Sequence, residues 1–523
     1  MAELLLCQKD AYYDSVTLMT LSNKLKKLDG VSNAVISMGT PMNKDLLKNI
    51  GLLQGDLEDA GPNDLLIAIR AETEAQCQAV YEEMERLLYA KKDGGGSEKA
   101  AVYHTISEAK NARPDLNLAV ISVKGEFAAR EAREALKRDM HVMLFSDNVT
   151  VEQERELKQT AHEKGLLVMG PDCGTAILGG VGLCFANAVR RGGVGLAAAS
   201  GTGLQEVCVL VDRLGQGISH AIGVGGRDLS AEIGGIMMLD SLQLLEEDPE
   251  TKVIVLISKP PVREVAEKIT ARVASCAKPV VVCFIAGTPE LLEGTKAIFA
   301  ASLEDAAFQA VAAMEGKPAP AAAGTAFPID GQAAAAAAEA LKPEQRYIRG
   351  LYCGGTLAAE AVAECAKVLP NVYSNVSKKP EQHLDDPMRS RGNCVIDLGD
   401  DVFTVGRPHP MIEPELRCDR IIQEAEDPET AVILLDFELG YGSNADPVGV
   451  TIEAIQMARQ RCAAQNRNVA FIGYIQGTQR DFQDIDRQRQ ALEEAGVITA
   501  QSNLHAVTMA LRIAGRKGAE EHV

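Results

Sequence analysis

Val194-Gly195-Leu196-Ala197-Ala198-Ala199-Ser200-Gly201-Thr202-Gly203 passes from an apolar run into a hydroxyl-and-glycine turn, the pattern of a buried strand feeding a helix. Ile348-Arg349-Gly350-Leu351-Tyr352-Cys353-Gly354-Gly355-Thr356 repeats that pattern. Working outward from each copy, further landmarks recur in the same order. Asp248-Pro249-Glu250-Thr251 precedes the apolar run Val253–Ile257, and Asp427-Pro428-Glu429-Thr430 precedes Val432–Leu435. Phe284-Ile285-Ala286-Gly287-Thr288 is echoed by Tyr474-Ile475-Gln476-Gly477-Thr478. Landmarks duplicated in one order define a repeated α/β domain at residues 192–315 and 347–515, each a parallel sheet covered by helices. Residues 316–346 between them are rich in alanine and proline and read as a linker with at most one short helix.

Upstream, residues 98–190 also alternate strand and helix: Leu118–Val123, a helix to Arg138, His141–Phe145, a helix over Val151–Lys164, then Leu166–Met169. Parallel sheets bind ligands at their strand ends, which here are Val123-Lys124-Gly125-Glu126, Ser146-Asp147-Asn148 and Gly170-Pro171-Asp172-Cys173-Gly174-Thr175. No G-x-G-x-x-G fingerprint follows a first strand, which disfavours a dinucleotide. Residues 1–90 predict a small ferredoxin-like domain: strands at Leu4–Cys7, Ser32–Met38 and Leu65–Ile69, a polar stretch before the third strand, and a final helix over Glu72–Leu88. Leu18, Leu21, Leu25 and Leu28 form one apolar stripe on its first helix. Lys91-Lys92-Asp93-Gly94-Gly95-Gly96-Ser97 reads as a flexible linker.

The 523 residues are too many for one core and enough for several, with 46% of them hydrophobic. Apolar runs are strand-sized, so no membrane span is expected, and Glu3 stands where a secretory signal would carry lysine; the chain reads as cytoplasmic. A net charge of −20 disfavours nucleic acid and anionic membrane as partners, so an anionic substrate must be held by local geometry. With no tryptophan and 4% aromatics, no base-stacking platform is visible. Twelve cysteines without a C-x-x-C pair argue against a structural metal or a disulfide framework. Cys173 reads as a small buried thiol, and the Asp400-Asp401 pair as a solvated turn rather than a metal site.

A glycine turn opening a helix leaves backbone N–H groups unpaired at the positive end of the helix dipole, a natural receptor for an oxyanion. Ser200, Gly201, Thr202 and Gly203 fit that description, as do Gly354, Gly355 and Thr356, and Gly440, Gly442 and Ser443. Lys259 follows a repeat strand directly, and Arg407 and His409 lie in a proline-stiffened segment. Arg407 offers the planar fork that grips oxyanions. These three are the candidate catalytic side chains. Ser146, Asp147 and Asn148, with Gly225, Gly226 and Arg227, line a candidate ligand pocket.

Gly170-Pro171-Asp172-Cys173, Gly193-Val194-Gly195-Leu196, Ser200-Gly201-Thr202, Ile222-Gly223-Val224-Gly225-Gly226 and the segment from Asp248 to Thr251 resemble, in order, succinyl-CoA synthetase alpha subunits over about residues 100–315. The second repeat, with Leu398-Gly399-Asp400-Asp401, the stretch from Gly406 to Ile412 and that from Asp436 to Ser443, resembles the ligase domain of the beta subunit. Longer stretches, among them Phe145–Thr150, Gly165–Thr175, His220–Leu229, Ser258-Lys259-Pro260-Pro261 and Gly406–Ile412, are similar over nearly the whole chain to the FdrA family of acyl-CoA-synthetase-like proteins. The resemblance implies a multi-domain α/β fold: a ferredoxin-like domain, a Rossmann-like CoA-binding-type domain at 98–190, and two flavodoxin-like, succinyl-CoA-ligase-type domains. It also points to the AllF-type subunit of oxamate carbamoyltransferase, which converts oxalurate and phosphate to oxamate and carbamoyl phosphate in anaerobic allantoin breakdown.

The ligase phosphohistidine is missing, because the matching strand end reads Ala286-Gly287-Thr288-Pro289-Glu290 and no histidine lies between His220 and His383. In ligases of this type two helix ends, one from each repeat's counterpart, face a common phosphate. The family therefore implies a carbamoyltransferase subunit holding phosphate without phosphohistidine, with carbamoyl phosphate as ligand, CoA possible, and other carbamoyltransferase subunits as partners. The alternatives are CoA-thioester chemistry with an ATP-grasp partner, or a non-catalytic scaffold.

Overall fold

The computed structural model describes residues 1–9, 11, 13, 15–26, 28, 30–89, 102–319, 324–377, 379–405 and 407–515. The glycine-rich linker expected at 91–97, and Gly406, lie outside the described residues. The chain divides into two compact units, 1–102 and 103–523.

The first unit runs β1 (Ala2–Gln8), α1 (Ser15–Lys26), β2 (Val31–Met38), α2 (Pro41–Asn49), β3 (Leu65–Ala71) and α3 (Glu74–Tyr89). Its three strands form an antiparallel sheet in the order β1-β3-β2. Leu18, Leu21 and Leu25 are buried against it, whereas Leu28 is 39% exposed because α1 ends at Lys26, before the stripe does. The stretch read as merely polar contains α2. Thr40 caps this helix by accepting from Asn43 N, and Pro41 sits at its first position, where the missing N–H costs nothing.

The second unit opens with α4 (Ile106–Ala112), β4 (Leu118–Ile121), α5 (Gly125–Leu136), β5 (His141–Leu144), α6 (Val151–Lys164) and β6 (Val168–Met169). The three strands make a parallel sheet, β4-β5-β6. A hairpin that the strand–helix pattern had not indicated follows, β7 (Thr175–Leu178) and β8 (Val181–Cys184). It joins the edge of the next sheet through β7 and β10.

That sheet belongs to the first repeat: β9 (Arg191–Ala198), α7 (Gly201–Arg213), β10 (Ile218–Gly223), α8 (Ile236–Glu247), β11 (Val253–Ser258), α9 (Arg263–Ala274), β12 (Val280–Phe284), β13 (Ile298–Phe299) and α10 (Leu303–Glu315). After α11 (Gly331–Glu339) comes the second repeat: β14 (Tyr347–Tyr352), α12 (Gly355–Val368), β15 (Val372–Tyr373), β16 (Asn393–Asp397), α13 (Asp401–Thr404), α14 (Glu415–Glu426), β17 (Thr430–Glu438), α15 (Gly449–Ala464), β18 (Ala470–Gln476), α16 (Ile485–Glu494), β19 (Ile498–Ala500) and α17 (Asn503–Gly515).

The strand order β10-β9-β11-β12-β13 of the first repeat matches β16-β14-β17-β18-β19 of the second. Setting aside the two-residue β15, which adds outside β16, both follow the doubly wound 2-1-3-4-5 order, whose ligand crevice lies where neighbouring connections diverge, beside the first strand. In each repeat that strand leads into the glycine-turn helix, α7 or α12. One hydrophobic core spans both repeats, with Leu204, Val207 and Leu210 of α7, Ala306 and Ala310 of α10, Leu357 and Ala361 of α12, and Val507 and Ala510 of α17. Joining the helices of two sheets in one core brings the N-terminal ends of α7 and α12 together.

Candidate functional site

At the start of α7, Ser200 Oγ accepts from Gly203 N (3.0 Å) and lies 2.7 Å from Thr356 Oγ1 on α12. Thr356 N in turn donates to Thr202 Oγ1 (3.4 Å). The approach is close enough that a Cβ on Gly203 would meet Thr356 Cγ2 at 2.9 Å, and one on Gly354 would meet Thr202 at the same distance. Glycine at these two positions is therefore a packing requirement, not merely a turn preference.

A cavity of about 670 Å³ opens in front of these helix starts. It brings together Ser200, Gly201 and Thr202 of the first repeat, Gly355, Thr356, Arg407 and His409 of the second, and Ser146 and Asp147 from the small parallel sheet. Gly225, Gly226 and Lys259 line it as well. A second lobe of about 750 Å³ shares Lys259, Asp397 and Asp400 with the first. Residues far apart in sequence thus converge because three strand-end clusters share one crevice.

The α7 end is receptive. Gly201 N–H and Thr202 N–H have no acceptor among the described residues, and both residues face the cavity. Thr175 Oγ1 is buried without a partner in the same wall, 3.8 Å from where a Gly201 Cβ would lie. The α12 end differs from the expectation of two helix ends facing one phosphate. Cys353 N and Gly354 N donate to the Asp436 carboxylate (2.8 and 2.9 Å), and Asp397 Oδ2 lies against Gly355. The protein's own acids already occupy that dipole, leaving Thr356 as its cavity-facing hydroxyl.

The third predicted anion turn does not line this cavity. Gly440 N donates to Gln483 Oε1 and Tyr441 N to Ala186 O. Gly442 packs beside the Cys184 carbonyl, and the next helix, α15, begins only at Gly449. The turn around Gly440, Gly442 and Ser443 therefore has no helix end to offer and is covered by the segment after β8. Arg227 is likewise diverted, with Nε on Glu154 (2.9 Å) and Nη2 on the Val149 carbonyl (2.7 Å). Asn148 adopts a left-handed turn (φ 53°) packed on Gly125 and does not line the cavity. Ser146 lines it, but spends its hydroxyl on the Val123 carbonyl, tying the ends of β4 and β5.

Lys259 and Arg407 make no ion pair among the described residues, so both cations are available to a ligand. His409 Nδ1 accepts from Met411 N (3.2 Å), and burial pushes its pKa down to about 4. It is therefore a neutral imidazole carrying its hydrogen on Nε2, a donor rather than a cation. Cys173 is buried, and desolvation pushes its thiol up to about 12, which suits a packing residue and not a nucleophile.

Sequence reasoning missed the acids. Asp172 is pushed up to about 6 by desolvation and by Asp401 and Asp147. Asp397 is pushed up to about 7 by desolvation, against the pull of the Gly399 N–H and Lys259. Only tertiary structure places them in the cleft. A strand-final aspartate such as Asp397 is nonetheless a legible signal in a sheet that binds at its strand ends.

Helix ends apposed across a crevice between duplicated doubly wound domains define an acyl-CoA-synthetase-like protein. The chain belongs to the FdrA family. It is 49% identical over 503 residues to YahF of Escherichia coli K12, covering 96% of each chain. Residues 1–103 match the family described as AllF, heavy metal-associated domain; residues 190–286 match a CoA binding domain and 351–513 a CoA-ligase. The CoA-binding match thus falls on the first repeat, whereas the resemblance implied a CoA-binding-type domain at 98–190. The succinate–CoA ligase alpha 1 subunit of Archaeoglobus fulgidus is 30% identical over 200 residues, and the match covers 37% of this chain and 66% of that subunit. Among solved structures, an acetyl-coenzyme A synthetase of Ca. Korarchaeum cryptofilum overlaps 82% of this chain and 88% of its own, at 17% identity and a TM-score of 0.35.

Among the described residues, those of the first unit do not fit the heavy metal named in the first description. Cys77 Sγ donates to the Ala2 carbonyl (3.4 Å), at the far end of β1 from Cys7, and the sequence holds no C-x-x-C pair. One described cluster, Cys353, Asp436 and Glu438, could offer three ligand atoms. Arg417 already fills it, with Nη1 2.9 Å from Cys353 Sγ. Among the described residues, no helix is long and apolar enough to cross a membrane.

Proposed function

We propose that this chain is the phosphate-binding subunit of a carbamoyltransferase, acting on oxalurate and phosphate to give oxamate and carbamoyl phosphate. The observation that carries the reading is the α7 end: two unpartnered N–H groups and a buried unpartnered hydroxyl open into a cavity that also holds two unpaired cations. Phosphate sits on Gly201 N–H and Thr202 N–H, with Lys259 and Arg407 balancing its charge and His409 donating from Nε2. Holding it in line with a carbamoyl carbon needs no covalent carrier, since positioning and preorganised donors lower the barrier directly. The chain works within a complex of carbamoyltransferase subunits.

A second reading is supported by the CoA binding domain and CoA-ligase matches: acyl-CoA chemistry, with ATP handled by a partner. The two are separated by assaying the protein, alone and with partner subunits, for phosphate consumption or release. One reaction contains carbamoyl phosphate and oxamate, the other ATP, CoA and succinate. Turnover only with carbamoyl phosphate supports the first reading; turnover only with ATP and CoA replaces it with the second.

A further inference from the structure

Asp397 ends β16 and, with Lys259 and Asp400, lines both lobes of the cavity. Its backbone is clamped by Asn375, which donates to Asp397 O (2.9 Å) and accepts from Asp397 N (3.0 Å). Oδ1 accepts from Gly399 N (2.8 Å). Oδ2 receives no hydrogen bond among the described residues and lies over Gly355, where an added Cβ would come within 2.3 Å. The residue is 8% exposed. A clamped, buried carboxyl with one free oxygen, at the end of β16 and beside the start of α12, lines the same cavity as the α7 end and can exchange a proton with a ligand that fills it.

The groups around it set its charge. Lys259 approaches from the end of β11, Asp436 from β17, and Asp400 from its own loop; Gly399, which donates to it, also packs against His409. Lys259 favours the carboxylate, while the two acids and burial favour the neutral acid, so the group sits close to balance at neutral pH. An oxyanion arriving at Gly201 adds further negative charge on that side and shifts the balance toward the acid.

We infer that Asp397 is the proton carrier of the transfer step, taking the hydrogen from the attacking phosphate and giving it to the departing nitrogen. The inference rests on the carbamoyltransferase reading. A hydrogen phosphate oxygen bonds to the carbamoyl carbon, the carbon–nitrogen bond to the oxamate moiety breaks, and its electron pair stays on nitrogen. Asp397 delivers a proton to that nitrogen and recovers one from the phosphate oxygen. Phosphate's proton therefore ends on the oxamate amide, and no further reactant is required.

The test compares wild type, Asp397→Asn and Asp397→Glu in the assembled complex, with thermal melting as a folding control. Asp397→Asn is expected to lower kcat by ~100-fold or more, the usual contribution of general acid–base catalysis, with KM for phosphate little changed. Asp397→Glu restores part of the rate. Calorimetric titration with inorganic phosphate in buffers of different ionisation enthalpy should show proton uptake by wild type near pH 7 that Asp397→Asn lacks. A folded Asp397→Asn protein with wild-type kcat and pH profile overturns the inference and leaves the carbamoyltransferase reading standing. Equal loss of phosphate affinity and kcat also overturns it, assigning Asp397 to binding alone. If the wild-type complex forms no carbamoyl phosphate, the functional reading fails and this step fails with it, whatever the calorimetry gives.

Discussion

Gly201 is the residue at which the proposed anion site is best tested without disturbing the helix. It is the first residue of α7, the position where proline is well tolerated, and Ser200 before it is extended (φ −167°, ψ 119°), as a residue preceding proline must be. A side chain there meets nothing closer than Thr175 Oγ1 at 3.8 Å. Gly201→Pro should therefore melt within a few degrees of wild type while losing one charge-assisted hydrogen bond, about 1.5–3 kcal/mol or roughly tenfold or more in phosphate affinity by titration calorimetry. His409 makes a pH prediction. Its folded pKa of about 4 lies below the ordinary 6.5, so the unfolded chain binds the proton first and stability is lost as pH falls from 6.5 toward 4. The loss is on the order of 3 kcal/mol, and denaturant unfolding of His409→Gln should lack that part of the acid slope. Residue by residue, the cavity-lining glycines, Lys259, Arg407 and His409 were legible as strand-end or turn residues. Asp397 and Asp172 stand at strand ends, but their raised pKa values come from the groups that surround them and had no local signature. The engagement of Arg227 with Glu154, 73 positions away, was equally invisible to local reading.

At the scale of elements, α12 is tied to two neighbouring helices through one acid. Glu360 accepts from Leu303 N at the start of α10 (2.8 Å) and from Asn503 Nδ2 on α17 (2.8 Å). Burial, assisted by Glu206 and Glu364 and opposed by those two hydrogen bonds, pushes it up to about 8. The folded state thus holds a proton that the unfolded chain releases above its ordinary carboxylate pKa of 4.5, so stability declines as pH rises from 4.5 through 8. Melting temperatures measured from pH 5 to 9 should be flatter for Glu360→Gln than for wild type; an unchanged slope would remove Glu360 from this role. The strands were indicated because β11 and the central parts of β9, β17 and β18 are apolar runs buried on both faces. Periodicity gave no sign of the β7–β8 hairpin, whose four-residue strands are too short for a period to register and take their place from a neighbouring sheet.

For the whole molecule, the repeats are joined by polar ties as well as by their common core. Arg213, at the end of α7, donates to the carbonyls of Ile475, Gly477 and Gln501 in the second repeat. Asn187, after the hairpin, donates to the Leu439 carbonyl and Asp481. Arg213→Ala should cost about 1–3 kcal/mol, its solvent exposure trimming the upper figure, and should raise amide hydrogen exchange at Gly477 and Gln501 more than elsewhere. The repeated landmarks in the sequence gave no indication of how the two glycine-turn helices meet. That meeting depends on Ser200, Thr202 and Thr356, which local pattern cannot place opposite one another.

Because α7 and α12 are carried on one polypeptide, their encounter is intramolecular, and its effective concentration is set by the connecting chain and not by the number of molecules in the vessel. On the proposed function, phosphate bound per chain at a fixed phosphate concentration should stay constant as the protein is diluted through the nanomolar range.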